Sequence, residues 1–130
     1  MPQSVSDALQ EYIRGLHNIY GSVIEKIILY GSYARGDFNY SSDVDILVLV
    51  NMDDDEIRNK KTELANFTFD VEMECGVVFS PVVANVKMYY RCIDILPFYR
   101  NIQDGKACNL LFVIMEKNQS ACFKKYFFQP

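Results

Sequence analysis

A chain of 130 residues is the size of one folded domain and leaves no room for a second. Half of it is apolar and 14% aromatic, which supplies a packed core and argues against disorder. A formal charge of −4 argues against a surface that tracks a polyphosphate backbone, so no direct nucleic-acid binding is expected; a nucleotide site, where divalent cations offset acidic ligands, stays open. The four cysteines, at 75, 92, 108 and 122, form no CxxC pair and the chain has one His. A structural zinc site is therefore not expected, and the thiols read as small buried hydrophobes in a reducing cytosol. The start MPQSVSDALQ has no basic segment leading into an apolar one, and the longest apolar run, residues 110–115, is too short to span a bilayer. The expectation is a soluble cytoplasmic protein with no membrane partner.

Taken in chain order, residues 4–20 predict a helix. Ser4 is placed to cap it, with Asp7 completing a weak capping box, and Val5, Leu9, Ile13, Leu16 and Tyr20 recur on one face. Gly21 suits its C-terminal stop. Residues 24–30 (IEKIILY) predict a strand ending at Gly31-Ser32, and 31–42 (GSYARGDFNYSS) a loop with room for one helical turn. Residues 44–50 (VDILVLV) are apolar on both faces apart from Asp45, the pattern of a central strand. Residues 53–75 predict a second helix, with acids at its start and Ile57, Leu64, Phe67, Val71 and Cys75 on its inner side. The third strand, 77–86, contains Pro81, which lacks an N–H, so it belongs at a sheet edge or breaks there. Short helices are expected over 87–95 and 97–104; 108–115 fits strand or helix, and 116–130 reads as helical with a loose tip. The order predicts an α/β (α+β) domain: a small mixed sheet flanked by helices.

The chemistry concentrates in fifteen residues. Gly31 at a strand end permits close backbone approach, and the Ser32 hydroxyl with neighbouring N–H groups can hold a phosphate oxygen. Asp43 and Asp45 alternate onto one face of the next strand, where two carboxylates repel unless a cation lies between them. Hard oxygens of this kind suit Mg²⁺. Alone, a Gly-Ser is an ordinary turn and an Asp-x-Asp a solvated loop edge; together, with Asp45 inside an apolar strand that makes an unpartnered charge expensive, they point to a metal-bound nucleotide. His17 on the first helix, the pairs Tyr89-Tyr90 and Phe98-Tyr99, and the aromatic tail around Lys124 and Lys125 read instead as surface or packing, the tail as a partner or dimer surface.

Gly31-Ser32, ten intervening residues and Asp43-x-Asp45 resemble the signature of the polymerase β-type nucleotidyltransferase superfamily, and GSYARGDFNYSSDVDILV is similar to the form found in minimal nucleotidyltransferases. The resemblance extends over about residues 5–106, with VVFSPVV and PFYRNIQDGK as its later parts, and implies a nucleotidyltransferase domain over 1–106; 107–130 is a C-terminal extension belonging to the same domain or to partner binding. It implies a polymerase β-like fold, nucleotide contacts from Gly31, Ser32, Arg35 and Ser42, and two Mg²⁺ ions on Asp43 and Asp45, with ATP or another NTP as substrate. Arg35 and Ser42 support either the loop or a phosphate oxygen. Active relatives carry a third carboxylate at the start of the third strand; aligning VVFSP with that strand puts Gly76 there, with Glu74 and Glu72 just before it. Glu74 is the candidate third catalytic acid if the helix ends early; otherwise both are solvated residues at a helix end. The implied function is transfer of a nucleoside monophosphate, AMP from ATP, to a hydroxyl on a partner protein, as the antitoxin of an HEPN-type RNase toxin; homo-oligomerisation is also compatible. The alternatives are an inactive binding module that neutralises a partner by complex formation, and a small-molecule nucleotidyltransferase of the aminoglycoside-modifying sort.

Overall fold

The computed structural model describes residues 2–36, 38–39, 41–92, 110–116 and 124–127, of which 34, 35, 92, 110–116 and 124–127 are described by backbone alone. The elements are α1 (Gln3–Tyr20), β1 (Ile24–Tyr30), α2 (Ser32–Arg35), β2 (Val44–Val50), α3 (Asp54–Asn59), α4 (Lys61–Cys75), β3 (Phe79–Asn85), α5 (Val86–Cys92), β4 (Leu110–Glu116) and β5 (Lys124–Phe127). The strands form one mixed sheet in the order β3-β2-β1-β4-β5. β1 runs antiparallel to β2 and β4, β4 antiparallel to β5, and β2 parallel to β3 through the α3–α4 crossover.

The period-two pattern of β2 divides the core into two layers. Val44, Ile46, Val48 and Val50 face a cluster with Ile27, Leu29 and Phe79, closed by Val5, Leu9, Tyr12, Ile13, Leu16 and Tyr20 of α1 and Leu64 and Val71 of α4. Leu47 and Leu49 face the other way, onto Ile28, Ala84 and the fully buried Tyr89 of α5. Asp45 belongs to this second row by alternation. α5 is held at its start by Asn85, whose Oδ1 accepts from the Met88 N–H at 2.9 Å while its Nδ2 donates to the Met52 carbonyl at 2.6 Å.

The amphipathic face predicted for α1 is buried as expected, and β3 with Pro81 lies at the sheet edge, where a missing N–H costs no ladder bond. Four expectations change. The first helix starts at Gln3 after Pro2 with no side-chain cap from Ser4; Asp7 instead accepts from the Gln3 side chain at 2.8 Å. The predicted helix over 53–75 is broken at Lys60 into α3 and α4, α3 being capped by the Asp53 carboxylate, which accepts from the Glu56 N–H at 2.8 Å. Cys75 is exposed rather than buried. The tail, read as helical, contributes β5 over Lys124–Phe127, and 110–116 resolves its ambiguity as β4, paired with β1 inside the domain's own sheet. The helix expected over 97–104, with Phe98 and Tyr99, lies outside the described residues. Among the described residues no helix is long and apolar enough to cross a membrane.

α1 and α4 meet over an aromatic stack. Tyr12 lies between Phe79, 4.2 Å away by ring centroids, and Phe67 at 5.1 Å, and its hydroxyl bonds the Thr68 hydroxyl at 2.6 Å. Gly15 lets Phe67 approach, because a Cβ there would run into the ring. Gly15→Val is expected to destabilise the fold by about 2 kcal/mol through overpacking, read as a lower midpoint in urea. Burial also pushes the Tyr12 phenol up to about 12. A phenol held neutral in the fold but free to ionise near 10 when unfolded leaves the unfolded chain with fewer protons, so stability is full below pH 10 and falls as pH rises toward 12. Chemical denaturation from pH 9 to 12 should show that decline, and Tyr12→Phe should make it shallower without abolishing it, because the Tyr20 and Tyr30 phenols are also raised.

Candidate functional site

β1 ends at Tyr30 and the chain turns at Gly31, which takes φ 76° and ψ −155° and caps the four-residue helix α2 beginning at Ser32. A positive φ is one reason for glycine here; the neighbour is the other. A Cβ at position 31 would collide with Oδ2 of Asp45. The Gly-Ser step and the second acid of the Asp-x-Asp pair, fourteen residues apart, are thus brought into direct apposition by the antiparallel β1–β2 pairing, in which Tyr30 stands opposite Asp45.

The loop between them is tied by its own polar groups. The Asn39 N–H donates to the Ser42 hydroxyl at 2.8 Å, the Ser42 N–H to the Asn39 carbonyl at 3.0 Å, and both the N–H and the hydroxyl of Ser41 to the Asn39 side chain. Tyr33 and Phe38 stack at 4.6 Å across it. Ser42 therefore closes the turn that delivers Asp43. The side chain of Arg35 lies outside the described residues.

Asp43 is exposed just before β2, and Asp45, half-buried, is its second residue. The parallel pairing sets Ser80 of β3 beside Asp45, and the Ser80 hydroxyl donates to Oδ2 of Asp43 at 3.2 Å. A row thus crosses the sheet at one level: Tyr30 on β1, Asp45 on β2, Ser80 on β3. Burial, and secondarily the Asp45 charge, push the Tyr30 phenol up to about 12.

The third-acid question is answered by register rather than by the alignment of VVFSP. Gly76 is not on β3; it closes α4, its N–H bonded to the Glu72 carbonyl at 2.8 Å. The Val44 N–H bonds the Val78 carbonyl at 2.8 Å, so the residues level with Asp43 and Asp45 on their face are Val78, just before β3, and Ser80 within it. Neither is acidic. Glu74 is exposed in the last turn of α4, and among the described residues no three His, Cys, Asp or Glu side chains gather as a metal site. His17 is exposed on α1 and Tyr89 is core, as read from the sequence.

Ser80 and Tyr30 are the site neighbours that the motif alone does not reveal. Tyr30 follows from strand alternation once β1 and β2 are paired, whereas Ser80 needs the β2–β3 register, which one sequence does not fix.

The nucleotidyltransferase domain family matches residues 9–109. A provisionally named protein adenylyltransferase of Methanocaldococcus jannaschii, MJ0604, is 35% identical over 77% of this chain and 93% of its own. A second protein of that organism, MJ0141, also provisionally named a protein adenylyltransferase, is 27% identical over 61% of this chain and 78% of its own. No solved structure matches.

Gly31→Ala should disturb Asp45 directly, through both the positive φ and the Cβ clash. The expected cost is about 1–3 kcal/mol of stability, measured by urea unfolding. Asp45→Asn should lower the Tyr30 ionisation in a spectrophotometric phenolate titration, while leaving it above 10, because burial remains.

Proposed function

The chain belongs to the nucleotidyltransferase domain family and is a minimal nucleotidyltransferase; on that premise we propose that it transfers AMP from ATP, with Mg²⁺, to a hydroxyl on a partner protein. The observation that carries the proposal is the apposition of Gly31-Ser32 with Asp45, and of Asp43 with it on one sheet face. The protein acceptor is supported by the names of the two archaeal relatives.

The residues present suit a divalent cation. Asp43 and Asp45 offer hard oxygens on one sheet face, and Gly31, lacking a Cβ, lets the Asp45 carboxylate lie against the turn that begins α2. These two side chains would hold Mg²⁺, which supplies charge neutralisation at the phosphates when bound. Ser32 and the backbone N–H groups at Gly31 and Ser32 would hold the triphosphate, with Arg35 a further phosphate contact. Positioning is the larger part of the work this chain does: it fixes the α-phosphorus so that the acceptor oxygen attacks in line, a P–O bond forms to the acceptor, and pyrophosphate leaves opposite. The acceptor proton departs to solvent or to the acceptor's own surroundings.

Among nucleotidyltransferases with a protein acceptor, the antitoxin role is the biological setting we propose, with the HEPN-type toxin as partner and the cytoplasm as location. A second reading rests on β3: Val78 and Ser80 stand where a third acid would join the pair, which favours slow transfer or a binding module acting by complex formation. Glu74 enters the first reading only if the end of α4 moves toward Asp43.

Incubation with labelled ATP, Mg²⁺ and the protein encoded by the neighbouring gene separates the two. The transfer reading predicts label on the partner, reduced at least about 100-fold by Asp43→Asn or Asp45→Asn. Neutralisation of the partner that survives both substitutions, with no label in any sample, would establish the binding module instead.

A further inference from the structure

Asp43 sits before the first ladder residue of β2, exposed, on a side chain free to rotate about two torsions. A carboxylate in that position loses conformational freedom when it takes a ligand, unless something already fixes it. One side chain does so. Ser80 is paired with Asp45 in the parallel register, and its hydroxyl reaches past that position to donate to Oδ2 of Asp43 at 3.2 Å. The bond occupies one oxygen of Asp43 and leaves the other, Oδ1, to be presented. It crosses from an edge strand to a central one, so β3 registers not only the hydrophobic layer but also the angle of the first acid. Val78, which precedes β3 and stands level with Asp43, is 41% exposed and its side chain carries no donor.

We infer that Ser80 is a positioning residue: its hydroxyl orients Asp43 so that Asp43 and Asp45 act on one divalent cation together. The inference rests on the nucleotidyl-transfer reading of the site and adds to it a residue outside the Gly-Ser and Asp-x-Asp motif. A hydroxyl at this place also donates without adding charge. The Asp43 carboxylate is thereby held on the face it shares with Asp45 by a neutral group, which accords with an acid pair whose repulsion is lifted on cation binding.

The test measures cation binding rather than turnover. Mn²⁺ is titrated into the full chain in the presence of α,β-methylene-ATP, and bound metal is followed by electron paramagnetic resonance. Ser80→Ala is expected to weaken Mn²⁺ binding by about tenfold, and Ser80→Thr, which keeps the hydroxyl, to restore it to within about threefold of the parent. Thermal unfolding of both variants is recorded alongside. Ser80→Ala binding Mn²⁺ as the parent does would overturn the inference, as would equal weakening in the Ala and Thr variants, which marks a packing effect. Asp43→Asn provides the separate control. If it too binds Mn²⁺ like the parent, the failure lies with the reading of the acid pair itself and not with Ser80 alone.

Discussion

The structure depends on placing a carboxylate at the second residue of an otherwise buried central strand. Val44 and Ile46 on either side of Asp45 are fully buried, and a charge among them is costly unless its surroundings are arranged for it. The arrangement is made by backbone. Gly31 turns the chain at a φ open to glycine and, lacking a Cβ, comes against the Asp45 carboxylate, so the start of α2 and the acid share one small space. A larger residue at 31 would displace the very group that the loop is shaped to face.

The remainder of the fold holds that contact in place. The thicker layer, α1 and α4 over Val44, Ile46, Val48 and Val50, fixes β2 between β1 and β3. The thinner one, Leu47 and Leu49 against Ile28, Ala84 and Tyr89, ends where Asp45 begins, so the polar row Tyr30, Asp45, Ser80 occupies the rim of a hydrophobic face. The position follows from chain order. An antiparallel pairing brings the Gly-Ser turn to the acids, and a parallel crossover through α3 and α4 returns β3 on the other side of β2. Tyr30, Asp45 and Ser80 therefore stand on three adjacent strands at one level, while α1 and α4 pack against the opposite face of β2.

Much of this was legible in the residues, for identifiable reasons. The five apolar positions of α1 recur at helical spacing and are all buried; Pro81 marks its strand as an edge; apolarity on both faces, apart from Asp45, marks β2 as central. Asp43 and Asp45 were readable because period-two alternation needs no tertiary information. What escaped depends on contacts distant in sequence. Ser80 becomes a neighbour of Asp43 only through the register of β3, thirty-seven residues away. Gly76 looked like the place of a third acid because the strand was started too early, whereas it ends α4 and β3 begins at Phe79. The break at Lys60 and the strand at Lys124–Phe127 escaped too, since neither apolar periodicity nor composition distinguishes a sheet edge from an amphipathic helix over four residues.

The central claim is that the Gly31-Ser32 turn and the two acids form one site for a metal-bound nucleotide. Calorimetric titration of the full chain with α,β-methylene-ATP, with Mg²⁺ and then with Mg²⁺ removed by chelation, tests it most directly. The account predicts binding that depends on Mg²⁺ and is lost in Asp45→Asn. Nucleotide binding of equal strength without Mg²⁺ and in Asp45→Asn would contradict it, because the acids would then have no part in holding the nucleotide.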